Sequence, residues 1–117
     1  MERVQIRNRT RGTELARRAE VADGWLTRLR GLMGRRQLAA GEGMVIYPCS
    51  SIHTFFMAFP IDVAFVDREH RVVKAVPAVR PWRVGPVARG ARYVVELPAG
   101  TLLASRTSPG DELEWVR

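Results

Sequence analysis

The side chains able to make and break bonds are few in this chain, and several cluster. Cys49 is the only cysteine, His53 is one of two histidines, and Asp62 follows inside the apolar run Pro-Ile-Asp-Val-Ala-Phe-Val. A thiol and an imidazole could act as nucleophile and base if they came within hydrogen-bond reach. Their spacing argues otherwise. Four residues of strand span about 13 Å, and Ile-His-Thr-Phe-Phe (52–56) has strand composition. Only a bend at Ser50-Ser51 would fold Cys49 back toward His53, so a structural thiol is the expectation. A metal site needs three or four converging ligands. His53, Asp62 and Glu96 are a conceivable set, but nothing in their spacing marks one, so no metal and no cofactor is expected.

The carboxylates say more. Ile61, Val63 and Phe65 would share one strand face and Ala64 and Val66 the other, which leaves Asp62 at least half buried. A buried carboxylate without partners costs several kcal/mol, so Asp62 needs a cation or several donors. Arg30 is the partner expected. Glu96, between Val95 and Leu97, makes the same demand. Such a group has two readings. It could dock a helix onto a sheet, or it could form a polar pocket that orients a ligand at one end of a small barrel. A hydrolase using Asp62 or His53 as general base is the alternative, and it needs a perturbed group facing an open cleft. Whether His53 shares a face with Asp62 depends on hairpin register, since a one-residue slip reverses every side chain.

The elements that would position these groups are mostly strands. Residues 4–7 alternate as a half-buried edge strand, open to pairing with another chain. Residues 15–21 read as a strand bracketed by Gly12 and the Asp23-Gly24 turn. Residues 25–33 are the clearest helix, with Trp25, Leu29 and Leu32 on one face, Asp23 able to cap its start and Gly34 its end. Gly31 inside that helix suggests a close approach by backbone or ligand. Strands follow at 44–47, 52–57, 61–66, 71–79, 92–97 and 112–116, with one helical turn possible at 101–105. Residues 80–90 form a long loop punctuated by Pro and Gly, in which Trp82 is the one tryptophan expected to be exposed. The result is a mainly β fold: a small β-sandwich or partly open barrel of seven or eight strands with one helix.

At 117 residues the chain is a single domain, 1–117, with no room for two cores. One cysteine excludes an internal disulfide, and neither a signal peptide nor a membrane span is evident, so a cytoplasmic protein is expected. The net charge of +7 is uneven: residues 1–36 carry ten Arg against four acids, hence +6, and the remainder carries +1. That basic third could face nucleic acid, although only Trp25 is available there for stacking.

Taken in order, Arg-Gly-Leu-Met (30–33), Gly-Glu-Gly-Met (41–44), Phe-Phe-Met (55–57), Pro-Ile-Asp-Val-Ala-Phe-Val-Asp (60–67), Glu-Leu-Pro-Ala-Gly (96–100) and Gly-Asp (110–111) make a specific set. The chain resembles the DUF192 family of small bacterial and archaeal proteins of unknown function over residues 25–116. A compact, mainly β fold with a short helix and a bacterial source are what the resemblance implies. The family's recurring polar positions fall on Arg30, Asp62 and Glu96, and recurring apolar ones on Met33, Met44 and Met57. The sequence departs from the pattern at Phe56, where Trp is frequent, and at Ala58-Phe59, where a basic residue and Asn are frequent. The leading expectation is a non-catalytic accessory or small-ligand-binding domain, a monomer or weak dimer. Its candidate site residues are Arg30, His53, Met57, Asp62 and Glu96, and its partner is a small molecule or another protein.

Overall fold

The computed structural model describes residues 2–117. Within them nine strands and two short helices follow in the order β1 Arg3–Asn8, β2 Thr13–Ala22, α1 Trp25–Arg30, β3 Glu42–Ile46, β4 Ser51–His53, β5 Ile61–Val66, β6 Val72–Val79, β7 Val84–Val87, β8 Tyr93–Pro98, α2 Thr101–Ala104 and β9 Leu113–Val116. Seven strands form one curled half-barrel sheet, ordered β6-β5-β8-β3-β2-β1-β9; β4 and β7 pair separately as a two-stranded ribbon. The mainly β architecture expected from the alternating segments is therefore the one observed. Residues 4–7 are not an edge, because β1 lies between β2 and β9. No helix in the described residues is long and apolar enough to cross a membrane.

The central strands are apolar at nearly every position, and the sheet is covered on both faces. Val45, Ala64, Val66, Tyr93, Val95 and Leu97 turn to one core, closed by β1, β2, α2 and β9. Met44, Ile46, Val63, Phe65 and Val94 turn to the other, roofed by the segment after α1 and by the β4–β7 ribbon. Strand parity decides which side each carboxylate takes. Asp62 lies opposite Leu97, while Glu96 lies between Val63 on β5 and Met44 on β3.

Two segments differ from the expectation for local reasons. The helix stops at Arg30 because Gly31 takes φ +50° and ψ −127°, a conformation that side chains disfavour. With barely two turns formed, only Leu32 reaches the core, and Trp25, Leu26 and Leu29 remain 72%, 63% and 59% exposed. Trp82 is thus joined by Trp25 as an exposed tryptophan. The helix start is held by Thr27, whose Oγ1 accepts from the Gly24 N–H (3.1 Å) and donates to the Gly24 carbonyl (3.0 Å); Asp23 is not the cap. In the supposed loop 80–90, β7 forms a ninth strand. Buried Thr54 anchors it, accepting from Arg83 N–H (2.8 Å) and donating to the Arg80 carbonyl (2.6 Å).

Candidate functional site

Asp62 is fully buried, and Arg30 is not its partner. Its Oδ1 accepts from Ala78 N–H (2.9 Å), and its Oδ2 from Gly100 N–H (3.0 Å) and Leu102 N–H (2.8 Å). Three amides, from β6 and from the start of α2, supply what a cation was expected to supply. Arg30, the last residue of α1, is exposed on the other side of the sheet. The expected Arg30–Asp62–Glu96 pocket is therefore divided by the sheet itself. Asp62 has both oxygens engaged and no route to solvent, so it cannot abstract a substrate proton.

Glu96 is the opposite case. It is 2% exposed, its Oε1 has no hydrogen-bond partner, and burial pushes its carboxyl up to about 8. It forms the floor of a cavity of about 60 Å³ between α1, the loop after it and β4. Gly31 passes beside the carboxyl, where a Cβ would make only ordinary contacts, 3.8 Å from Oε1 and 3.6 Å from Ile46; its positive φ of +50°, not crowding, is what favours glycine there. Arg30, His53 and Met57, all expected at a site, line this cavity with Glu96.

Three further groups on the cavity lining bear on its chemistry. Arg28 lines it with a buried Nε–H that has no partner, while its Nη1 donates to the Pro48 carbonyl at 3.2 Å. Met33 adds a second thioether beside Met57. Cys49 is brought in because the chain bends on both sides of it, at residues 47–48 and at Ser50, just before β4. Yet its Sγ donates to the Ser51 carbonyl (2.8 Å), and burial pushes the thiol up. His53 is likewise committed, its Nδ1 accepting from Phe55 N–H at 3.2 Å. Thiol and imidazole share a cavity without forming a nucleophile–base pair. Among the described residues no cluster of three His, Cys, Asp or Glu is arranged to hold a metal ion. The recurring motifs would have found Met33. Arg28 carried no signal beyond its place on the helix.

The family model for DUF192, an uncharacterized protein family, matches residues 6–115. The chain belongs to the DUF192 family. A UPF0127 protein of Pyrococcus abyssi is 34% identical over 117 residues, covering 95% of this chain and 97% of the relative. One of Thermococcus sibiricus is 36% identical over 113 residues, covering 92% and 72%. These relatives are archaeal and do not bear out a bacterial source. A crystal structure of a protein of unknown function from Novosphingobium aromaticivorans superposes with a TM-score of 0.83 at 25% identity, covering 97% of this chain and 84% of that one. Within the family motifs at 41–44 and 96–100, Gly43 and Gly100 have structural roles. Gly43 lies against the Glu96 carbonyl, where an added Cβ would come within 3.1 Å. Gly100 carries one of the amides that hold Asp62.

Proposed function

We propose that this chain is a non-catalytic small-ligand-binding domain and that the cavity over Glu96 is its site. The observation that supports this is the contrast between its two buried acids. Asp62 has three amide partners, as a structural carboxylate should. Glu96 has none from the protein, although burying such a group without compensation is costly. A polar atom held unpaired against a cavity is what a binding site presents to its ligand.

Binding is better supported than hydrolysis. Asp62 is sequestered, and Cys49 and His53 are each bonded to neighbouring backbone. Nucleic-acid binding through residues 1–36 draws less support, because Arg3 and Arg35 face Glu20, Arg9 faces Glu112 and Arg11 faces Asp111. The test is a fragment titration followed by amide NMR. Ligands should shift Gly31, Ile52 and His53 together. A diverse fragment set that leaves all three signals in place, on folded protein, would rule the site out.

A further inference from the structure

The cavity over Glu96 also specifies a chemistry, an inference that rests on the binding-site reading above. At about 60 Å³ it is far below the roughly 300–1,000 Å³ of pockets that enclose whole drug-sized molecules. It accommodates a head group of a few heavy atoms. Its polar surface is rich in donors. Arg28 offers the buried Nε–H, and a protonated Glu96 offers an O–H as well as a carbonyl oxygen. The charged and titratable groups facing Glu96 are Arg28 and Arg30 from α1, Cys49 before β4 and His53 on β4. The fixed charge among them is positive. The remaining wall is Gly31, the Ser51 hydroxyl at the rim, and aliphatic or thioether side chains: Leu29, Leu32, Met33, Ile46, Ile52 and Met57.

We propose that this cavity binds the carboxylate of a short-chain aliphatic monocarboxylic acid, one ligand oxygen accepting from Arg28 Nε–H and the other from the Glu96 O–H. Two donors match the two oxygens of a carboxylate. A phosphate or sulfate carries further oxygens and charge, which a wall made mostly of aliphatic and thioether side chains, with Ser51, Arg30 and His53 as its further donors, satisfies less well than it satisfies a carboxylate with an alkyl tail. An ammonium group would meet two guanidinium groups and a neutral acid. The alkyl tail leaves past Leu29 and Met57, whose flexible thioether suits tails of differing length. No bond is made or broken. The Glu96 proton stays on the protein and lies between two oxygens in the complex. Above about pH 8, where Glu96 ionises, each ligand must therefore bring a proton with it.

The experiment is a calorimetric and NMR titration of the full chain with acetate, propionate and butyrate from pH 6 to 9.5, with chloride, phosphate and propylammonium as controls. Propionate and butyrate should shift Gly31 and His53. Their affinity should be level up to pH 7.5 and fall about tenfold per unit above 8, as one linked proton requires. Glu96→Gln, which keeps a neutral donor and acceptor, should still bind but lose that fall, whereas Cys49→Ser should retain it. Arg28→Gln should weaken binding by about tenfold or more, the scale of a hydrogen bond to a charged group. Propylammonium binding more tightly than propionate, phosphate or chloride matching it, or an unaffected Arg28→Gln would overturn the proposal. If fragments of another class shift Gly31 and His53 while no carboxylate does, the carboxylate assignment fails and the binding-domain reading stands. If nothing shifts them, both fall.

Discussion

Replacing Glu96 by Gln tests the central electrostatic claim without any ligand. Glu96 is 2% exposed, and burial raises its carboxyl from 4.5 to about 8. In the unfolded chain it ionises near its ordinary value. Between those two limits the folded protein therefore holds a proton that the unfolded chain has lost. Stability must fall as pH rises across that window and level off above it. The stabilisation is fully present below the unfolded value and gone once the folded value is passed. The interval of about 3.5 units, at about 1.4 kcal/mol each, amounts to about 5 kcal/mol. Gln has nearly the same shape and no titration, so Glu96→Gln removes this dependence. The two proteins should be about equally stable near pH 4.5, and the variant should gain steadily until it leads by several kcal/mol at pH 8. Urea unfolding of both proteins at half-unit pH steps measures the difference and cancels every other titrating group. A difference that stays constant within about 0.5 kcal/mol, the scale of a neutral surface change, would mean that Glu96 is solvated, and the cavity argument would go with it.

Three other substitutions probe the layout. Asp62→Ala should cost about 3–5 kcal/mol by leaving three buried amides without an acceptor; a loss below about 1 kcal/mol in denaturant unfolding would contradict its structural role. Gly43→Ala should cost about 1–3 kcal/mol, since its Cβ would meet the Glu96 carbonyl and the Leu97 side chain at 3.1 Å, and thermal unfolding would show it. Leu26→Ser, on the exposed helix face and away from the cavity, should change stability by less than about 0.5 kcal/mol; a larger loss would show that this face is covered in solution.

The class of fold was legible because strand patterns are local: residues 3–8 alternate in burial, and the runs at 61–66 and 93–98 are buried almost throughout, as strands covered on both faces are. The need of Asp62 for partners was equally legible; their identity was not. Amides from Ala78, Gly100 and Leu102 converge on it only through the pairing of β5 with β6 and β8, and backbone donors leave no mark in a sequence. The same pairing sets Glu96 on the opposite face, so two acids that look alike in the sequence have opposite fates. The helix misled because its apolar stripe satisfied the 3.6-residue period, while Gly31 ended it before that stripe could be buried. The strand at 84–87 was hidden by Pro86 and Gly85, and what holds it, buried Thr54, is remote in the chain.

The strand order has a bearing on how the molecule assembles. The sheet's middle joins β3 to β8, and β1 gains its second neighbour only when β9 arrives. A nascent chain emerging from the ribosome could zip the β1–β2 and β5–β6 hairpins early and lay β3 along β2, yet the other edge of β3 would wait for residues about fifty positions downstream. Closing such large loops before any contact rewards them slows the search, as in other sheets built from distant strands. During that delay the apolar edge of β3, Met44-Val45-Ile46, is the segment on which chaperones or self-association would act.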